Sequence, residues 1–246
     1  MRVPFTSFTA NKYLIRAMSK ILFTHSYFLR YDPKQWATGQ PYPPLGTLYA
    51  AAVTRQKGHQ VTFHDTMFAE SPLELEPVIR RQQPSLFVIY DDGFNYLTKM
   101  CLTNMREAAF EMICMAKNQG CTVIVSSSDS TDHFEQYLQK GADFVLLGEA
   151  EMTLVELAAA LDTGTTDFTF IQGLAYKQGQ AIVKTQRRAV MRDLDAVPFP
   201  AWDLVDVEPY RKMWAKSKGY FSLNMGTTRG CPFKCNWCAK PIYGNR

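Results

Sequence analysis

The stretch MREAAFEMICMAKNQGCTVIVSSS, residues 105–128, sets the fold class, because it places an amphipathic helix directly before a buried strand. Apolar residues recur at helical spacing through residues 105–120, and the pattern stops at Gly120. Residues 121–128 are then an apolar, β-branched run of strand length, and SLFVIYD (85–91) upstream is a similar run. A helix between two such strands predicts a βαβ unit with parallel strands.

The same alternation extends over most of the chain. The other predicted elements are the strands 20–27, 60–66 and 142–148 and the helices 43–59, 71–84, 133–141 and 151–164. Strands alternating with helices predict an α/β domain with a doubly wound, flavodoxin-like (Rossmann-like) parallel sheet in the order 2-1-3-4-5. In such a domain, ligands bind beyond the carboxyl ends of the strands.

After residue 164 the pattern changes. Residues 170–186 predict a β-hairpin, the Pro-interrupted residues 193–204 predict a linker rather than a packed element, and residues 220–230 predict the first strand of a second domain. The expected segments are an N-terminal extension (1–19), the α/β domain (20–164), the hairpin and linker (165–209) and an incomplete second domain (210–246).

The charge distribution is uneven. The chain has a formal net charge of +4, yet residues from 209 onward hold eight basic residues and no acidic one. No recognised nucleic-acid motif accompanies these charges, so we expect no nucleic-acid partner. No apolar stretch approaches the roughly 20 residues of a membrane span, and the start lacks the apolar core of a secretory signal. The expected compartment is the cytoplasm.

The segments that follow the predicted strands carry the candidate ligand contacts. None of them has the glycine pattern of a dinucleotide or nucleoside triphosphate site. They present hydroxyls, aromatics and small residues, including the run SSSDST at 126–131. This composition favours a large, flat, hydrogen-bonding ligand, although Ser-rich loops also cap helices.

Three cysteines near the end of the chain have the spacing of a metal site. Cys231, Cys235 and Cys238 form C-x3-C-x2-C. A structural zinc site needs four ligands, and all four histidines lie far upstream. A [4Fe-4S] cluster held by three thiolates leaves one iron open to chelate a substrate. The other cysteines, at 101, 114 and 121, are predicted to be reduced packing residues.

At this point the sequence resembles a known family. RGCPFKCNWC (229–238) resembles the cluster loop of radical S-adenosylmethionine enzymes. YPPLGTLYAAAVTRQKGHQV (42–61), QKGADFVLLGEAEMTLVELAAAL (139–161) and DLDAVPFPAWDL (193–204) resemble the branch of that family with an N-terminal cobalamin-binding domain. The likeness covers the chain from about residue 20. Two departures are the absent D-x-H-x-x-G signature and SSSDST in place of a Gly-Gly pair.

The resemblance implies cofactors and their contacts. Cys231, Cys235 and Cys238 are implied ligands of a [4Fe-4S] cluster, S-adenosylmethionine is implied to chelate its open iron, and Trp237 to flank the adenine. Cobalamin is implied at the carboxyl ends of the strands, with no histidine on the cobalt. The implied cobalamin contacts are Ser26, Tyr27, Asp91, Asp92, Phe94, Ser126, Ser127, Ser128, Asp129, Gly148 and Glu149.

The same resemblance implies an activity. The intact enzyme is expected to be a methyltransferase or an oxidative cyclase, such as the anaerobic porphyrin cyclase, acting on an unidentified small molecule or peptide with a one-electron reductant such as flavodoxin or ferredoxin. The segment 210–246 would begin a partial (β/α) barrel, and this chain, as an N-terminal fragment, is expected to be inactive alone. Two alternatives are a cobalamin-like domain that only scaffolds, and a non-catalytic cobalamin- or metal-binding module with a zinc or redox site.

Overall fold

A mixed sheet of seven strands forms the centre of the computed structural model, which describes residues 18–93 and 102–229. The strands are β1 (Lys20–Thr24), β2 (Gln60–Phe63), β3 (Leu86–Tyr90), β4 (Thr122–Ser126), β5 (Phe144–Leu146), β6 (Leu174–Gln178) and β7 (Ala181–Lys184). Their order is β2-β1-β3-β4-β5-β6-β7. The first five pair in parallel, in the predicted order 2-1-3-4-5, and the predicted hairpin β6–β7 extends the sheet antiparallel to β5.

Helices connect the parallel strands and cover both faces of the sheet. They are α1 (Pro33–Thr38), α2 (Leu45–Gln56), α3 (Glu76–Gln82), α4 (Leu102–Asn118), α5 (Ser128–Asp132), α6 (Phe134–Gln139), α7 (Glu151–Thr163) and α8 (Glu208–Lys218). Short 3-10 turns occupy Leu29–Tyr31, Pro72–Leu75 and Trp202–Leu204. No helix in residues 18–93 and 102–229 is long and apolar enough to cross a membrane.

Strand β3 shows why the sheet needs helices on both sides. All five of its residues are buried, and successive side chains point to opposite faces. Phe87 and Ile89 pack in one core with α3 and α4, while Leu86 and Val88 pack in the other with α2 and α7. A continuous apolar strand therefore fits only a sheet covered on both faces.

Helix α8 packs onto the α/β domain. Tyr210 and Trp214 are each 1% exposed, and the indole N–H of Trp214 donates to the carbonyl oxygen of Pro41 at 2.8 Å. The helix spans the boundary predicted at residue 210. That boundary stays a prediction, but the beginning of the expected second domain lies against the first.

Two expectations about the later part of the chain are wrong. Residues 221–229 form no strand, since within the described ranges no strand lies beside them. The Gly226 carbonyl accepts instead from the Tyr49 hydroxyl on α2, and the Asn224 side-chain amide donates to the Pro43 carbonyl in the loop before α2. The expected linker is partly packed, because Ala201 is buried and its N–H donates to the carbonyl of Leu48 at 3.1 Å.

The scattered cysteines behave differently from one another. Cys121 is buried and reduced, as expected of a packing residue, whereas Cys114 is reduced but exposed, because it lies on the solvent side of α4. Cys101 lies outside the described residues.

A partly buried chain of hydrogen bonds ties α8 to the carboxyl end of β1. His25 Nε2 lies 2.8 Å from Asp65 Oδ1, and Tyr210 Oη donates to Asp65 Oδ2 at 2.7 Å. Burial raises the pKa of Asp65, but the hydrogen bonds and charge of His25 and the bond from Tyr210 outweigh it, so the pKa is lowered overall. The ionised carboxylate is therefore the form that the folded protein favours.

Replacing Trp214 with alanine tests how strongly α8 is attached. Removing a fully buried indole leaves a cavity and an unpaired Pro41 carbonyl, so the free energy of unfolding should fall by about 3–5 kcal/mol. Trp36→Ala is the matched control, because Trp36 is 39% exposed and should cost less than about 1 kcal/mol. Urea denaturation of both variants measures the difference. Equal effects would show that α8 is not anchored at Trp214.

The lowered pKa of Asp65 predicts a pH dependence of stability. An acid with a depressed folded pKa contributes stability that is complete above its ordinary pKa of about 3.8 and is lost as the pH falls through the folded value. Asp65→Asn should therefore lower stability at neutral pH and flatten the decline between about pH 5 and pH 2. Denaturant unfolding across that range is the measurement. Tyr210→Phe removes only one hydrogen bond to Asp65 and should flatten this decline less. If stability fell as steeply with pH in Asp65→Asn as in the wild type, Asp65 would not be the group responsible.

Candidate cofactor site at the carboxyl ends of the strands

A small cavity at the carboxyl ends of β3 and β4 brings together five of the predicted cobalamin contacts. Its lining consists of Asp91, Asp92, Ser127, Ser128, Asp129, Leu102, Met105 and Tyr137. The five predicted residues come from two separate runs, 91–92 and 127–129, which meet because parallel strands end at the same edge of the sheet. The lining offers carboxylates and hydroxyls beside apolar side chains.

The two aspartates that follow β3 are each held by a neighbouring strand end or helix. Asp91 Oδ1 accepts the backbone N–H of Ser26 at 2.7 Å, and the Ser26 hydroxyl donates to the same carboxylate. Burial raises the pKa of Asp91 against these hydrogen bonds. Asp92 Oδ1 accepts the N–H of Gly46 at 3.0 Å, and a Cβ at Gly46 would lie only 3.0 Å from that oxygen. A side chain at position 46 would therefore require Asp92 to shift by a few tenths of an ångström.

The serine run after β4 begins a helix. Ser127 forms a capping box with Ser130: each side chain accepts the backbone N–H of the other at 2.8 Å. The alternative that the Ser-rich loop caps a helix is confirmed for Ser127, and Ser128 becomes the first residue of α5. Both residues still line the cavity, so capping and ligand contact do not exclude each other.

Asp129 is neutralised by a residue that the sequence analysis missed. The Arg106 guanidinium makes two hydrogen bonds to its carboxylate, at 2.7 and 2.5 Å, and the Tyr137 hydroxyl donates to Oδ2 at 2.8 Å. Burial and the Asp129 charge raise the pKa of Tyr137, so it remains a donor. The only signal in the sequence was a cation within the otherwise apolar face of α4. This arrangement stabilises a carboxylate that is 5% exposed.

Other predicted contacts lie near the same edge but are absent from the described lining of the cavity. Ser26 positions Asp91, as above. Tyr27 is buried, with its hydroxyl donating to Asp32, and Ser126 accepts the N–H of Asp91 through its carbonyl at 2.8 Å. The Gly148 N–H donates to the hydroxyl of Thr131 at 3.4 Å, and Glu149 accepts the backbone N–H of Met191 at 2.9 Å.

A second cleft lies beside the segment that leads to the three cysteines. Its volume is about 260 Å³, and it is lined by Tyr49, Leu194, Asp195, Val197, Pro198, Phe199, Gly226, Thr227, Thr228 and Arg229. Phe94, Cys231, Cys235, Trp237 and Cys238 lie outside the described residues. Within residues 18–93 and 102–229, no group of three or more His, Cys, Asp or Glu side chains is placed to hold a metal ion.

Comparison with known proteins gives curated relatives over most of this chain. No family model matches the sequence. The anaerobic magnesium-protoporphyrin IX monomethyl ester cyclase of Synechocystis is 27% identical over 209 residues, which is 80% of this chain and 38% of the relative. An uncharacterised methyltransferase of Pyrococcus horikoshii is 28% identical over 215 residues, covering 85% and 43% of the two chains. The chain thus spans less than half the length of these relatives.

Solved structures share the fold. The cobalamin-dependent S-adenosylmethionine radical enzyme OxsB, with aqua-cobalamin and S-adenosylmethionine bound, superposes with a TM-score of 0.65 at 16% identity, covering 90% of this chain and 28% of the other. The radical S-adenosylmethionine methyltransferase TsrM from Kitasatospora setae, with cobalamin and a [4Fe-4S] cluster bound, gives 0.51 at 18% identity, covering 74% and 31%. The resemblance indicated by the sequence is confirmed to this extent: the chain is similar in sequence to anaerobic magnesium-protoporphyrin IX monomethyl ester cyclases, and it shares its fold with solved cobalamin-dependent radical S-adenosylmethionine enzymes.

Proposed function

We propose that this chain binds cobalamin at the carboxyl ends of its parallel strands and a [4Fe-4S] cluster at Cys231, Cys235 and Cys238. The observation that carries the proposal is the meeting of Asp91, Asp92, Ser127, Ser128 and Asp129 in one cavity, in a chain that also contains C-x3-C-x2-C. Relatives whose names state the same cofactors support it.

The cavity has a volume of about 10 Å³, so its polar lining could contact side chains at the rim of a corrin but would not enclose the ring. A corrin carries amide side chains, whose N–H groups need acceptors and whose carbonyls need donors, and the cavity offers carboxylates and serine hydroxyls. None of the described lining residues is a histidine, so this lining provides no imidazole for the cobalt. Leu102 and Met105 add an apolar surface beside these polar groups.

The residues around the cavity fix its polar groups before any ligand arrives. Ser26 orients Asp91, the N–H of Gly46 orients Asp92, and Arg106 neutralises Asp129. A site whose acceptors are already oriented loses less conformational entropy on binding. Bound cobalamin and cluster would supply a cobalt centre for group transfer and one electron to S-adenosylmethionine.

The proposal extends to the activity of the intact protein. Because the names of the relatives divide between cyclases and methyltransferases, the intact protein is proposed to have one of these two activities. The substrate class stays open between a small molecule and a peptide, and the one-electron reductant, such as flavodoxin or ferredoxin, stays a prediction. A scaffold that has lost cobalamin, and a metal-binding module without catalysis, are the alternatives that the following measurements separate.

Titration of the chain with hydroxocobalamin under anaerobic conditions tests the corrin site. Wild-type protein should bind it, and the reduced cobalt should show no nitrogen hyperfine splitting from protein in its electron paramagnetic resonance spectrum. Ser128→Phe places a ring in the cavity and should weaken binding at least about tenfold, or about 1.4 kcal/mol. Ser71→Phe, at a helix start that does not line the cavity, is the control. Absence of binding by the wild type would leave the domain as a scaffold.

Iron and sulfide analysis after reconstitution tests the three-thiol site. The wild-type chain should hold about four iron atoms, as a [4Fe-4S] cluster does. Cys231→Ala removes a proposed ligand and should abolish retention of the cluster. Cys114→Ala is the matched control, because this exposed free cysteine lies outside the motif and its loss should leave the iron content unchanged. Stoichiometric zinc in place of iron would favour the non-catalytic module.

A further inference from the structure

The last described residue, Arg229, makes a buried ion pair with the α/β domain. Its Nη2 donates to Glu151 Oε1 at 2.6 Å, and the two side chains are 12% and 6% exposed. Exposed ion pairs hold two residues together only weakly, whereas a buried charge that loses its partner is strongly disfavoured. The pair therefore fixes where Arg229 lies on the domain.

Glu151 is itself rigidly placed. It is the first residue of α7, where the helix dipole favours a carboxylate. Leu154 and Leu157 of the same helix are fully buried, in the core that also contains Val88 of β3. The backbone of Glu151 is thus fixed by the domain, and its side chain, which is 6% exposed, has little free space in which to move with Arg229.

Three further contacts seat residues 224–229 on α2 and on the loop that precedes it. The Arg229 guanidinium lies 5.7 Å from the centre of the Tyr49 ring, within the range of a cation–π contact. The Tyr49 hydroxyl donates to the carbonyl oxygen of Gly226 at 3.5 Å, and the Asn224 side-chain amide donates to that of Pro43 at 3.0 Å. Residues 224–229 are thus held at three points without strand pairing.

The anchored residue lies two positions before Cys231. Two residues of chain span at most about 7 Å, so the sequence leaves only a short connection between Arg229 and the motif. Glu151 and the cavity residues Ser127 and Ser128 belong to segments that start at the same edge of the sheet, after β5 and β4. Arg229, from which the chain continues into the cysteine motif, is therefore held at the edge of the sheet that carries the candidate cobalamin site.

We propose that the Arg229–Glu151 ion pair is the device that sets the position of the three-cysteine loop relative to the candidate cobalamin site. This inference rests on the proposed function. Arg229 and Glu151 are positioning residues in it, since neither is proposed to touch the cofactors or a substrate.

Hydrogen–deuterium exchange in the 246-residue chain without cofactors is the first test. Glu151→Gln removes the charge with little change in shape and should speed exchange of the amides of residues 221–229 at least tenfold. Glu156→Gln is the matched control, because Glu156 lies on the same helix and pairs with Arg188 instead. It should leave residues 221–229 unchanged. Equal exchange of this segment in the wild type and Glu151→Gln would overturn the proposal.

Arg229→Lys is a second variant that keeps the test decisive if Glu151→Gln fails to fold. A lysine keeps the charge but cannot reproduce the planar guanidinium contact with Tyr49 and Glu151. Exchange in residues 221–229 should lie between the wild type and Glu151→Gln. The proposal would be overturned if the amides of residues 221–229 exchanged as slowly in Arg229→Lys as in the wild type but faster in Glu156→Gln. Another contact would then be responsible for ordering this segment.

Pulsed electron paramagnetic resonance of the chain loaded with reduced cluster and cob(II)alamin is the second readout. The wild type should give one narrow distance distribution between the two centres, and Glu151→Gln a broad one at unchanged iron and cobalamin content. An equally narrow distribution in Glu151→Gln would overturn the positioning role. If the wild type took up neither cofactor, the proposed function would be overturned instead. The hydrogen–deuterium exchange measurements, made without cofactors, would still show whether Glu151 holds residues 221–229 in place.

Discussion

Parallel pairing of β1, β3, β4 and β5 is the constraint on which the candidate site depends. Each strand enters the sheet from the same edge and leaves it at the opposite one, so the residues that follow them collect along one line. The cavity, the start of α5 and the start of α7 all lie on that line. Burial of all five residues of β3 requires helices on both faces of the sheet, which the connections between parallel strands supply.

Acidic groups crowd this edge, and each described one has its own donor. Asp91 is held by Ser26, Asp92 by Gly46 and Asp129 by Arg106, while Glu149 accepts from Met191 and Glu151 from Arg229. Donors from five different parts of the chain thus converge on one edge. A carboxylate in such surroundings avoids the cost of unpaired burial and is fixed in direction. The edge is therefore held together by polar contacts, in contrast to the apolar cores beneath it.

Much of the fold could be predicted because it depends on local pattern. The buried strands, the Gly-terminated helices and the hairpin are each encoded within a few residues, and the doubly wound architecture indicated by their alternation then gives the sheet order 2-1-3-4-5. The pairing of Arg106 with Asp129 could not be predicted, since it depends on how α4 is rotated against α5. The strand predicted at 220–230 is absent from its described residues for a related reason: a strand forms only beside another strand, and the local sequence does not say whether one is present. Asp91, Asp92 and the serines were predictable as a group, because the ends of parallel strands meet.

The antiparallel hairpin decides where the chain leaves the sheet. Strand β6 runs back from the edge where β5 ends, and β7 returns to it, so residues after 184 emerge beside Glu149 and α7. A single strand in place of the hairpin would deliver the chain to the far side of the domain. The two-residue turn at Gly179 sits on that far side, with open space around it. It is accordingly the natural site for splicing in a reporter domain or an affinity tag, since the insertion would project away from the acidic edge.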